Sequence, residues 1–392
     1  MSTILRDSYL DELMSYRNNT ELIKVLTGIR RCGKSVILEQ FRSLLVESGV
    51  DEKSIIYLNL EESRYTVDSE RALYDYLDRN VVGRDPIILL DEVQLVKGWE
   101  RAVDSIHVKH GADIYITGSN SETVSESLGT HLTGRFVEIH VFPFSFKEFL
   151  KRYPVTNDTG YTQRLIQFLR FGGMPILDLN DDWKKNRIIL KGVYDSIINY
   201  DIRPKMELDQ SILDELTRFM LSNIGNITSV ANIAKESFVG DQRTVDKYLS
   251  RLCGCFIFYN ADRYDVIGKE HLRTKAKYYL ADTGFREAIL TGSEYNEGAL
   301  LENAVYIELL RRGYKVSVGS YKDKEIDFTV WSDTGPEFYQ VCWSMTDEKT
   351  RKREFDPLVK LDGKRYVITM DRDPPVSPEG VEIIDAVDFF LS

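Results

Sequence analysis

The sequence predicts an α/β protein built on a parallel sheet. Three observations carry this. Short apolar runs recur along the first third, and stretches with helical spacing of apolar residues separate them. The first run ends in Gly28-Ile29-Arg30-Arg31-Cys32-Gly33-Lys34-Ser35, a G-x4-G-K-S loop placed before a helix. The third run ends in Asp91-Glu92. Strands separated by helices of about a dozen residues become parallel neighbours with helices on both faces.

The elements follow in order. Residues 22–27 (LIKVLT) read as a strand, and 34–45 as a helix with Val36, Ile37, Phe41, Leu44 and Leu45 at helical spacing. A second strand spans 55–60, and a helix about 69–80. The third strand, 86–90, is followed by a helix after Trp99 and by a strand over 113–117. The chain has 392 residues, enough for two or three domains. Its strongest apolar run, 87–90, is strand-length, so no membrane span is expected. The N-terminus has no apolar signal region, and four cysteines make no disulfide framework. A reduced, cytoplasmic setting is expected. Net charge is −11, which argues against a wholly basic nucleic-acid coat but leaves one local basic face open.

The G-x4-G-K-S loop demands its residue types. Glycines let backbone N–H groups close on phosphates, and the helix N-terminus adds the positive end of its dipole. Gly28, Ile29, Arg30, Arg31, Cys32, Gly33, Lys34, Ser35 and Val36 are therefore the candidate ATP cradle. Lys34 is placed to reach the β and γ phosphates, and Ser35 to ligate Mg²⁺. Asp91, at the end of a doubly covered strand, is the second candidate in the Mg²⁺ sphere, and Glu92 the candidate general base. The fourth strand ends in Thr117-Gly118-Ser119-Asn120. Ser119 or Asn120 can contact the γ phosphate or hold the lytic water; the same pair also suits a turn cap.

These motifs, with Leu132-Thr133-Gly134-Arg135, Phe142-Pro143-Phe144-Ser145-Phe146, Gly172-Gly173-Met174-Pro175 and Tyr279-Leu280-Ala281-Asp282-Thr283-Gly284, resemble one family. It is the bacterial and archaeal AAA-type ATPases that carry a C-terminal domain of unknown function. Their ATPase domain is similar to that of replication initiators and other additional-strand NTPases. The resemblance covers most of the chain. It implies that Arg135 senses or stabilises γ-phosphate charge, in its own site or in a neighbour's, the latter requiring a homo-oligomer. It also implies a small helical lid over about 156–206, after an ATPase domain at 1–155.

Residues 207–292 read as helix, short helix, helix and two β-prone stretches, an order that suggests a winged helix-turn-helix. Between Asp241 and Lys277 eight Lys/Arg face five Asp/Glu, and Arg243, Lys247 and Arg251 recur every four residues. DNA-phosphate contact and an ordinary solvated helix face both fit. Residues 293–392 have an α-β-β-β-α-β order that resembles the PD-(D/E)XK nuclease fold. That fold gathers carboxylates around a divalent metal. Glu302 and Asp327 match, with Glu325 beside them, but Gln340-Val341-Cys342 puts Gln for Glu and Cys for the catalytic Lys. The expectation is a degenerate, restriction-endonuclease-like domain kept for binding. The competing functions are an ATPase coupled to DNA or partner engagement, a nucleotide-gated protein-binding regulator with little turnover, and a metal-dependent nuclease.

Overall fold

The computed structural model describes residues 3–62, 67–119, 134–180, 182–203, 209–237, 239–290 and 296–392. The chain packs into two units. The first comprises residues 1–143 with 254–256, and the second comprises 144–253 with 257–392.

The first unit holds a five-stranded sheet of β1 (Ile23–Thr27), β2 (Ile55–Asn59), β3 (Ile87–Asp91), β4 (Asp113–Thr117) and β5 (Phe136–His140). All neighbours are parallel, in the order β2-β3-β4-β1-β5. Parallel neighbours need crossovers, supplied here by α2 (Lys34–Glu47), α3 (Glu70–Asn80) and α4 (Trp99–His110). Every residue of β1, β3 and β4 is buried, as covering both faces requires. Val25, Leu90, Ile116, Val103 and Leu77 share one core cluster. The four expected strands agree with the structure to within a residue or two. The sequence reading left out β5, whose alternating polar residues do not make an apolar run. The order places β4 between the P-loop strand and the acidic strand. A short helix, α1 (Asp7–Ser15), precedes β1.

The second unit begins with helices α5 (Phe146–Arg152), α6 (Asp158–Phe171) and α7 (Trp183–Ser196). Helix α6 stops at the Gly172-Gly173 pair, where Gly172 adopts φ +79°. Then come α8 (Gln210–Ser222), α9 (Val230–Glu236) and α10 (Gln242–Gly254). A seven-stranded mixed sheet closes the unit. It contains β6 (Phe258–Asp265), β7 (Glu270–Leu280), β8 (Val316–Tyr321), β9 (Lys324–Ser332), β10 (Gly335–Cys342), β11 (Lys364–Thr369) and β12 (Glu382–Asp385), in the order β12-β11-β10-β9-β8-β6-β7. Helices α11 (Gly284–Ile289), α12 (Glu297–Arg311), α13 (Glu348–Leu358) and α14 (Ala386–Leu391) intervene. The helix and strands expected over the last hundred residues are present; β12 and α14 come in addition.

One difference concerns the expected boundary at 292/293. The β6–β7 hairpin, read as a separate wing, pairs through β6 with β8. The sheet therefore runs across residue 292. Periodicity marks a strand but not its partner, so only the fold could show this.

Candidate functional site

The candidate nucleotide site lies at the carboxyl ends of β1, β3 and β4. The loop after β1 turns through positive φ at Gly28 (+141°), Arg31 (+68°) and Gly33 (+109°). A Cβ at Gly28 would collide with the Val141 carbonyl, so glycine is needed for that approach. Gly33 caps α2, whose first turn has backbone N–H groups without helical partners, suited to an anion. The buried Lys34 ammonium donates to the carbonyls of Gly28 (2.9 Å) and Ile29 (3.3 Å). Ile29 and Cys32 are buried, and burial raises the Cys32 thiol pKa. Arg30 pairs with Glu61 at 2.8 Å, while Arg31 and Val36 are exposed.

Asp91 is fully buried. Its Oδ1 accepts from Thr117 Oγ1 at 2.5 Å, and the Ser35 hydroxyl acts on the same carboxylate. Burial, the largest effect, pushes its pKa up; the Thr117 and Ser35 hydroxyls oppose this and the charge of Glu92 adds to it. Oδ2 is buried with no hydrogen-bond partner. A hydroxyl beside a carboxylate oxygen left without a donor is an all-oxygen set of the kind Mg²⁺ takes, so these residues fit that ion.

Glu92 sits at φ +58°, a left-handed conformation uncommon outside glycine. Its backbone N–H donates to Thr117 Oγ1 at 2.9 Å. Its Oε2 accepts from Gln94 Nε2 and, at 3.4 Å, from Ser119 Oγ. One threonine thus ties both acids together, and Ser119 and Gln94 steady the second. Asn120 lies outside the described residues.

Arg135, expected to act in its own site or a neighbour's, lies away from the loop of its own chain. It precedes β5 at the amino-terminal edge of the sheet, where its carbonyl accepts from Ile23 N at 2.8 Å. From there β1 runs five residues, about 17 Å, before reaching the P-loop. Its guanidinium lies 3.7 Å from Asp104. Arg135 is therefore not brought to the P-loop of its own chain, because a parallel strand separates its start from its end.

Three participants escaped the sequence reading. Thr117 is one and Gln94 another. The third is Arg6, buried beneath the loop, donating to the carbonyls of Cys32 and Phe142 at 3.0 Å each. Tyr9, on the same N-terminal segment, accepts from Phe142 N at 3.0 Å. A polar residue ending a central strand was a readable signal for Thr117. Nothing local marked Arg6.

In the second unit the structure gathers Glu302, Asp327 and Gln340, together with Glu325, Glu354 and Lys277, around a cavity of about 520 Å³. Asp327 N donates to Gln340 Oε1 and Gln340 Nε2 to Glu354 Oε2, both at 2.8 Å. Lys277, from β7, lies 2.7 Å from Glu302, 2.5 Å from Glu325 and 3.6 Å from Asp327. A cation thus stands among these carboxylates, on a strand other than that of Cys342. Burial works against this ammonium, but the carboxylates of Glu302, Asp327 and Glu325 outweigh it and raise its pKa. Burial and the neighbouring Glu302 raise the Asp327 pKa well above the usual range. Among the described residues, no group of three or more His, Cys, Asp or Glu is arranged to hold a metal. Arg243 and Lys247 are exposed on α10, and Arg251 is half-buried. No helix among the described residues is long and apolar enough to cross a membrane.

Residues 20–150 match a family model described as an AAA domain, and residues 162–295 one described as a domain of unknown function. An uncharacterized protein of Haemophilus influenzae is 35% identical, over 99% of this chain and 98% of its own length. The chain belongs to that protein's family, with an AAA domain in its first unit. An uncharacterized protein of Methanocaldococcus jannaschii is 28% identical to this AAA protein, over 85% of this chain and 77% of its own. AMPPCP-bound DnaA from Aquifex aeolicus matches 64% of the AAA protein and 88% of its own chain, at 15% identity and a TM-score of 0.29.

Proposed function

We propose that this AAA protein binds ATP with Mg²⁺, hydrolyses it, and couples turnover to DNA. The observation that carries the reading is the pairing of Asp91 and Glu92 through Thr117, at strand ends beside the Lys34 loop. A protein that only binds nucleotide has no use for a second, strained carboxylate held by two donors. In this reading Lys34 holds the β and γ phosphates, and Ser35 and Asp91 hold the ion. Mg²⁺, when bound, supplies charge neutralisation on the phosphate oxygens. Glu92 accepts the proton of the attacking water, with Ser119 and Gln94 orienting its carboxylate. Arg135 serves a neighbouring copy's site in a homo-oligomer.

The DNA-facing element is α10. Helices α8 to α10 followed by the β6–β7 hairpin have the order of a winged helix, and Thr228 bridges to Ala276 of β7 just before α9. Arg243 and Lys247 stand exposed on one side of α10, suited to phosphates. The terminal sheet, with Lys277 among its carboxylates, acts as a binding module rather than a nuclease.

The test is steady-state ATP turnover with and without double- and single-stranded DNA, at low and moderate salt. Stimulation that fades with salt supports the coupling. Glu92→Gln should keep ATP binding and lower turnover by about 100-fold or more. Turnover indifferent to DNA shifts the reading to a protein-directed switch. Equal turnover by wild type and Glu92→Gln removes the hydrolytic role.

A further inference from the structure

A pocket of about 440 Å³ opens on the sheet of the second unit, where β6, β8, β9 and β10 lie side by side. Such a volume is that of a small-ligand site. Two of its walls are the rings of Tyr264 and Trp331, 4.6 Å apart between centroids and set at 81°, which make an aromatic corner. Tyr321 and Phe338 add further rings. Trp331 is 41% exposed.

The pocket also holds an unpaired polar atom. Thr329 is fully buried and lines it, and its Oγ1 has no hydrogen-bond partner. On β8 its register partner is Ser317, and the nearby Gly319 lies against its hydroxyl; a Cβ at Gly319 would come within 2.6 Å of that oxygen. The strand register is irregular between Ser317 and Gly319, and glycine leaves room there for the buried hydroxyl. Buried hydroxyls are normally paired, so an unpaired one in the wall of a cavity marks a polar position that a ligand atom can complete. Lys269 and Lys360, both exposed, line the same pocket, as does Asp362.

We propose that this pocket binds a nucleotide: one planar heteroaromatic ring with an attached phosphate. The ring lies against the Trp331–Tyr264 corner, where any base offers a π-face. Thr329 Oγ1, able to donate or accept, bonds the ring edge. Lys269 and Lys360 meet the phosphate, and Asp362 accepts from an amino group or a sugar hydroxyl. The site is independent of the P-loop. Its ligand can be a free nucleotide or one residue of a single strand.

Calorimetric titration of the full chain carrying Lys34→Ala, which disables phosphate binding at the P-loop, tests this, using nucleoside 5′-monophosphates and a thymidine tetranucleotide. Saturable binding is expected, weakened about 10-fold or more by Trp331→Ala and by the isosteric Thr329→Val. Lys269→Ala with Lys360→Ala should weaken binding and flatten its salt dependence. Tighter binding of the tetranucleotide identifies a strand, and equal binding a free nucleotide. A Lys34→Ala chain without saturable binding, or affinities unchanged in both Trp331→Ala and Thr329→Val, overturns the proposal. Because no turnover is read, failure here leaves the ATPase reading standing.

Discussion

Thr117 Oγ1 donates to Asp91 Oδ1 at 2.5 Å and accepts the backbone N–H of Glu92 at 2.9 Å. One hydroxyl therefore sets both the aim of the Asp91 carboxylate and the left-handed turn that carries Glu92. Thr117→Val keeps the shape and removes the hydroxyl. It leaves a buried acceptor and a buried N–H unpaired, which costs about 1–3 kcal/mol for each. The expected result is a lower melting temperature and at least a ~10-fold loss of ATP turnover, larger than the loss of ATP affinity. Turnover equal to wild type would show that Thr117 has only a structural part.

Arg6 holds the P-loop from below through the carbonyls of Cys32 and Phe142. Hydrogen bonds to a charged donor are worth about 1.5–3 kcal/mol, so Arg6→Ala should weaken ATP binding by about 10-fold or more. Arg6→Lys keeps the charge but not the two-pronged geometry, and should recover only part. Titration with a fluorescent ATP analogue, beside thermal melting, checks this. Unaltered affinity with a lowered melting temperature would confine Arg6 to folding.

Lys277 stands where the terminal carboxylates converge. Lys277→Met leaves them without a counter-charge, and removing one partner of a buried pair costs about 3–5 kcal/mol. The loss should shrink on acidification, as the carboxylates take up protons. Millimolar Ca²⁺ or Mn²⁺ should then raise the melting temperature of the variant more than that of wild type. Equal stabilisation of both proteins would contradict a lysine that stands in for a cation.

Asp282 is buried and accepts from Gly173 N at 2.7 Å and Gly284 N at 2.9 Å, which ties the glycine break after α6 to β7. Burial pushes its pKa up to about 7, against the opposing backbone hydrogen bonds. A folded-state pKa above the unfolded one means that the native state holds the extra proton. The stability this confers is complete below about pH 4 and is lost as pH rises towards 7. Wild-type melting temperature should therefore carry a falling component between about pH 4 and 7 that Asp282→Asn flattens. Identical profiles for the two proteins would contradict it.

The nucleotide loop was legible because its residues are consecutive. Gly28 to Ser35 must be neighbours in sequence to make one turn, and the apolar runs before Gly28 and Asp91 mark strands without help from the rest of the chain. The carboxylates Glu302 and Asp327 were also legible, each from its place on a predicted helix or strand. The sequence by itself thus determined the α/β class, the P-loop and the two acids after β3. The tertiary structure decided the rest. Strand order put β4 between β1 and β3, and so made Thr117 the bridge between the acids. It sent Arg135 to the far edge of the sheet, brought Arg6 under Cys32, and carried Lys277 to carboxylates on β9 and α12. The physical reason is that periodicity and propensity act over a turn or a strand, whereas hydrogen bonds and charges act through space. Which residues become spatial neighbours depends on sheet order and register, and those are settled only when the whole core packs.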